Sequence, residues 1–228
     1  MKLIEIISSS YCICIGIALI INMIVSAKIL SKTNTAKEIM ICLILENVGI
    51  VLGAKLLSIL TNIDEYMQLH LLDILTKGFS YWGAILGGIA GIFLFSEVNK
   101  KDFVKLLSVF LPNMILIYAI SKIGCYLNEC CEGIFLENGK QIPIQLIESV
   151  TFFAIYIYIM TRKYENPYKK IYVTGMLFCI VKFILEFFRI QYTVMPISIS
   201  QTFAIYFMII LIIVRYKTKN KWNNETNE

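Results

Sequence analysis

Charge is scarce in this 228-residue sequence: only 16% of its residues are Asp, Glu, Lys or Arg, where a soluble globular chain carries about a quarter. So few charges cannot clothe an aqueous surface around a chain that is 58% hydrophobic, with a mean hydropathy of +0.73. A soluble domain is excluded, and so are disordered, collagenous and disulfide-scaffold readings. Proline is rare, at four residues, and no Ser/Gly-rich stretch is present. Without a linker, residues 1–228 read as one domain. Histidine occurs once, as His70 in an acidic stretch where a solvated role is expected. A zinc site wants C-x-x-C spacing and further ligands, so neither a metal nor another cofactor is expected. No segment is left over for a nucleic-acid-binding module.

What is abundant is apolar helix. Residues 6–27, 78–96 and 190–214 carry no charge and reach the length of about 20 residues that crosses a bilayer. Residues 106–121 are shorter and bounded by Lys105 and Lys122. Residues 39–60, 142–161 and 171–188 are as apolar but interrupted, by Glu46 and Lys55, by Glu148, and by Lys182 and Glu186. None alternates in polarity as a barrel strand must. The expected fold class is all-α, a polytopic integral membrane protein of about seven transmembrane helices.

Basic residues orient those helices. Lys28, Lys32, Lys37, Lys100, Lys101, Lys105, Arg162, Lys163, Lys169, Lys170, Arg215, Lys217, Lys219 and Lys221 flank alternate ends, against only Lys2, Lys77 and Lys140 opposite them. Asp64, Glu65, Asp73, Glu129, Glu132 and Glu137 share that second side. The N-terminus is therefore expected outside and the C-terminus in the cytoplasm. The run 6–27 is too long for the apolar core of a signal peptide and reads as a retained anchor.

Ionisable groups within a bilayer are costly and mark function. Counted from the loops, Lys55, Lys122, Glu148, Lys182, Glu186 and Arg189 fall at one depth, near the outer headgroups. Lys182, Glu186 and Arg189 share one helical stripe. Snorkelling, or structural pairing such as Lys182 with Glu186, is the bland account. Neither explains a cationic excess at a single depth, which suits the phosphate of an anionic lipid. Glu46 falls on the opposite face, with a buried hydrogen bond or a helix contact with Asn47 as its expected role. Gly83, Gly87 and Gly91 recur every fourth residue, for close helix approach or for an acyl chain in the same groove. Pro112 is expected to bend the fourth span. Cys12, Cys14, Cys42 and Cys179 read as small apolar fillers; Cys125, Cys130 and Cys131 fall on the outer side, where a disulfide stays open.

The segment Ser121-Lys-Ile-Gly-Cys-Tyr-Leu-Asn-Glu-Cys-Cys-Glu-Gly133, followed by Ile142-Pro-Ile-Gln-Leu-Ile-Glu148, resembles the signature of the prolipoprotein diacylglyceryl transferase family. Ile123, Gly124, Asn128, Gly133, Pro143, Gln145, Leu146 and Glu148 match in place. Tyr11, Leu52-Gly-Ala-Lys55, Gly78-Phe-Ser-Tyr-Trp-Gly-Ala-Ile-Leu-Gly87, Lys182-Phe-Ile-Leu-Glu-Phe-Phe-Arg189 and Ile197-Ser-Ile-Ser-Gln201 resemble further family segments in the family's order. Lys55, Lys122 and Lys182 stand where the family has arginine, Trp82 where many members have histidine, Glu129 where glycine is usual, and Phe178 where tyrosine is frequent.

The resemblance implies a transferase of the bacterial plasma membrane, with its site facing the outer leaflet. It would move the diacylglyceryl group of phosphatidylglycerol to the lipobox cysteine of a prolipoprotein signal peptide, releasing glycerol phosphate. Lys122, Lys182 and Glu148 are the implied catalytic residues, the lysines on phosphate and Glu148 with Glu186 orienting them. Tyr11, Lys55, Trp82, Asn128, Gly133, Gln145, Glu186 and Arg189 would line the substrate site. The alternative is a divergent, non-catalytic homologue that binds lipid or peptide. A transporter would want broken helices in paired halves, which are not apparent.

Overall fold

The computed structural model describes residues 10–32, 34–67, 74, 78–137, 139–190 and 197–218. Expectations for Lys2, His70, Asp73, Lys77, Lys219 and Lys221 fall outside the described residues. The long helices are α1 (Ser10–Leu30), α2 (Ala36–Thr61), α4 (Tyr81–Asn99), α5 (Phe103–Leu127), α6 (Ile144–Thr161), α7 (Pro167–Leu185) and α8 (Ile199–Lys217), with a short α3 (Ile63–Tyr66). These seven long helices are each apolar enough to cross a membrane, as the sequence led one to expect. Apolar side chains remain outside on each of them, including Leu52, Leu56 and Leu60 on α2 and Ile209, Ile210, Ile212 and Ile213 on α8. Water would not tolerate such faces, and lipid favours them.

Two helix boundaries differ from the sequence reading, each for a local reason. Residue 190 was the expected start of the last span, but α8 begins at Ile199. Ser198 and Gln201 form a capping box there: the Ser198 hydroxyl accepts from the Gln201 N–H, and the Gln201 side chain accepts from the Ser198 N–H at 2.9 Å. The fourth span was expected to stop before Lys122, yet α5 continues to Leu127. Lys122 is buried within the helix because its charge finds a carboxylate, described below.

The chain divides into two compact units, one holding residues 23–107 and the other residues 10–22 with 108–218. In the first, α2 and α4 meet backbone to backbone. A Cβ on Gly87 would collide with the Gly49 carbonyl, one on Gly53 with that of Gly83, and one on Gly91 with that of Leu45. Two small-residue rows therefore interlock, Gly49 and Gly53 against Gly83, Gly87 and Gly91. The acyl-chain reading of the glycine stripe is corrected by this contact: the α2 backbone fills the groove. Ser80 caps α4 by accepting from the Gly83 N–H, and its own N–H donates to the Ala54 carbonyl at 3.0 Å. Glu46 is fully buried on α2, as its position suggested.

In the second unit, Tyr118, Phe152 and Phe178 from α5, α6 and α7 form an aromatic cluster. Tyr118 meets Phe152 edge-on at 4.8 Å and Phe178 at 5.6 Å between ring centroids, and Phe152 lies 5.0 Å from Phe178. Such pairs add about 0.5–1.5 kcal/mol beyond the area they bury. α1 closes on α5 at Gly124, where a Cβ would stand 3.0 Å from the Tyr11 Cα.

Candidate active site

One helical turn separates each ring of that cluster from an ionic residue on the same helix: Tyr118 and Lys122 on α5, Phe152 and Glu148 on α6, Phe178 and Lys182 on α7. Residues four apart share a face, so three aromatic residues laid side by side place three ionic ones side by side, toward the loop that joins α5 to α6. Glu148, 1% exposed, is the centre. Its Oε1 accepts from the Tyr118 hydroxyl at 2.7 Å and from Lys182 Nζ at 2.8 Å. Lys122 Nζ lies 2.7 Å from its Oε2. Lys182 also donates to Glu186, four residues on. Glu186 in turn lies 3.5 Å from the Arg189 guanidinium. That last pairing is three residues apart because the helix tightens to a 3-10 turn over Glu186–Phe188.

Five of the six charges expected at one depth thus form a single network. Both lysine ammoniums also sit over the Tyr118 ring, at 5.1 and 5.6 Å from its centroid, which helps hold them away from water. Lys182 lies between two carboxylates. Lys122 shares one, and Arg189 is 29% exposed, so the positive surplus of the network resides toward these two. Glu148 is engaged at both oxygens, as a holder of cations. Sequence reasoning did not single out Tyr118; its place one turn before Lys122 was the available signal.

Lys55 and Trp82 belong to the other unit. Lys55 donates to the Gly78 carbonyl at 3.4 Å and lies over the rings of Phe79 and Tyr66 at 5.0 and 5.2 Å. Trp82 is buried in the first turn of α4.

The loop after α5 shapes the approach to the network. Gln145, buried at the start of α6, donates to the Cys130 carbonyl at 2.8 Å. Ile134 N–H donates to the Phe188 carbonyl at 3.0 Å, and Ile190 N–H to that of Glu132 at 2.9 Å. The loop is thereby tied to the segment that carries Arg189. Gly133 sits in this tie, where a Cβ would collide with the Ile142 carbonyl. Asn128 is exposed at the end of α5.

Residues 1–216 match the profile of a family described as Prolipoprotein diacylglyceryl transferase. The chain belongs to that family. It is 27% identical over 187 residues to the phosphatidylglycerol–prolipoprotein diacylglyceryl transferase of Clostridium tetani, a match covering 73% of this chain and 75% of that one. It is 29% identical over 200 residues to the phosphatidylglycerol–prolipoprotein diacylglyceryl transferase 2 of Clostridium perfringens, covering 78% of each. Similarity to the phosphatidylglycerol–prolipoprotein diacylglyceryl transferase of Finegoldia magna, at 22% identity, extends over 92% of this chain and 91% of the other.

Two departures of this prolipoprotein diacylglyceryl transferase family member acquire a physical reading. Glu129, where the resemblance has glycine as usual, stands at a left-handed helix end. The Cys130 N–H bonds to the Cys125 carbonyl at 3.0 Å and the Glu129 N–H to that of Tyr126 at 3.2 Å, the two bonds of a Schellman motif, and Glu129 takes φ 50°. Phe178, in place of tyrosine, packs edge-on to Tyr118, whose hydroxyl already satisfies Glu148. The same turn draws together Cys125, Cys130 and Cys131, whose sulfurs lie within 4.8 Å of one another. Tyr11 is within electrostatic reach of all three. The sequence reading had placed these cysteines on the outer side and left a disulfide open there.

Proposed function

We propose that this chain is a phosphatidylglycerol–prolipoprotein diacylglyceryl transferase of the bacterial plasma membrane, its network facing the outer leaflet and its C-terminus in the cytoplasm. The observation that carries this reading is Glu148 holding Lys122 and Lys182 on one carboxylate. In the reaction, a lipobox cysteine gives up its thiol proton and the thiolate attacks the glyceryl carbon. The carbon–oxygen bond to phosphate breaks, and glycerol phosphate leaves. Cations fixed beforehand stabilise the charge that grows on the departing oxygen without reorganising during the step. Lys122, with Arg189 at the rim, is suited to face the phosphate. Lys182 ties Glu148 to Glu186 and keeps the ammoniums in register. Gln145 and Gly133 hold the loop, and Asn128 and Tyr11 border the entrance.

The test is complementation of a strain depleted of its own transferase, read as growth and as lipoprotein labelling. Wild-type chain should restore both, and Lys122→Ala or Lys182→Ala should abolish both. Rescue that survives both substitutions removes this site. The neutralisation of Lys182 by two carboxylates favours a second reading, a non-catalytic homologue that binds lipid or peptide. Lipid binding without any labelling by the wild-type chain would select it.

A further inference from the structure

The three thiols at the end of α5 are more than neighbours in sequence. Adjacent residues such as Cys130 and Cys131 ordinarily project in different directions, yet here both sulfurs turn back toward Cys125 on the helix. Two features achieve this. The Schellman turn sets the third residue from the helix end, Cys125, against the residue just beyond the turn, Cys130. Cys131 then takes φ 62°, a left-handed conformation that a non-glycine residue adopts only under strain. With Glu129 at φ 50°, two residues in three carry this strain. The Gln145 side chain pins the turn from α6 through the Cys130 carbonyl. A disulfide needs two sulfurs; this backbone aims three at one point.

We infer that Cys125, Cys130 and Cys131 form a binding site for a single soft, thiophilic metal ion, held by three thiolates. The geometry needs little adjustment: an ion bound by sulfurs at about 2.3 Å in tetrahedral array spaces them about 3.8 Å apart, and here they lie within 4.8 Å. Thiol ligands select soft d10 ions over magnesium or calcium. The spacing C-x4-C-C gives no metal signature in sequence, because the turn rather than the spacing assembles the ligands.

The experiment uses the full chain, reduced and solubilised in detergent, titrated with Cd2+ as the probe and followed by the ultraviolet sulfur-to-cadmium charge-transfer band. One ion per chain is expected. Cys125→Ser, Cys130→Ser or Cys131→Ser should each weaken binding by at least about tenfold, since losing a ligand costs no less than losing a ligand's support. Cys42→Ser and Cys179→Ser should leave binding unchanged. Mass-spectrometric mapping of alkylation on the unmutated chain covers the case of variants that fail to fold: Cd2+ should protect Cys125, Cys130 and Cys131 together and leave Cys12 and Cys14 reactive. Absence of uptake, protection of only two of the three, or a disulfide among them that persists under reduction and excludes Cd2+ would overturn the site.

Discussion

Glu148 offers the sharpest perturbation, because three partners depend on one carboxylate that is 1% exposed. Replacing it with glutamine keeps its volume and one acceptor oxygen for Tyr118 or Lys182. The negative charge is lost, leaving Lys122, itself 5% exposed, without the carboxylate 2.7 Å away. Breaking a buried pair by removing one partner costs about 3–5 kcal/mol, and the retained acceptor places Glu148→Gln near the lower figure. Lys122→Met removes the stranded ammonium while keeping its apolar stem, so it should cost less alone and recover part of the loss in combination. The expected coupling between the two positions is about 1.5–3 kcal/mol. Unfolding of the four proteins of this cycle in mixed micelles, with increasing SDS and far-ultraviolet circular dichroism as readout, measures it. If the two single losses simply add to within about 0.5 kcal/mol, Lys122 and Glu148 are not energetically paired, and the network loses its centre.

Further outcomes follow from individual backbone positions. Gly87→Ala should destabilise the chain by about 1–3 kcal/mol or more through its collision with the Gly49 carbonyl, whereas Gly16→Ala, with open space around its Cβ, should be neutral in the same assay. Glu129→Gly should stabilise by up to about 1 kcal/mol, since glycine relieves the left-handed strain at φ 50° by more than it adds unfolded-state freedom. Gly133→Ala should reduce lipoprotein labelling while far-ultraviolet circular dichroism stays unchanged, because the displaced contact is the Ile142 carbonyl of the loop; full labelling would show that the loop's tie to Arg189 does not matter.

Much of the architecture is legible in the chain because its causes are local. Long apolar runs fix the number of helices able to span a membrane. The i, i+4 relation of Lys182 and Glu186 likewise announces their contact. What escaped depends on neighbours. Lys122 looks like the end of a span until Glu148 is known to face it from α6. The glycine stripe of α4 leaves its partner open until Gly49 and Gly53 appear against it on α2. The start of α8 was within reach, since Ser198 and Gln201 spell a capping box, but a charge-free run 190–214 hid it. The convergence of three cysteines could not be read at all, because it rests on Glu129 and Cys131 adopting conformations that neither residue type prefers.

The network described here joins Lys122, Lys182 and Arg189 to Glu148 and Glu186, leaving one positive charge unmatched. A phosphodiester lipid brings one negative charge and renders the assembly electroneutral. Cleavage converts that phosphodiester into a monoester, which acquires a second negative charge as its oxygen departs. A pocket balanced for the lipid is therefore underbalanced for the fragment it releases, and in a medium of low dielectric that imbalance drives the fragment toward water. Turnover in this enzyme would then be helped by what the two glutamates withhold as much as by what the lysines supply.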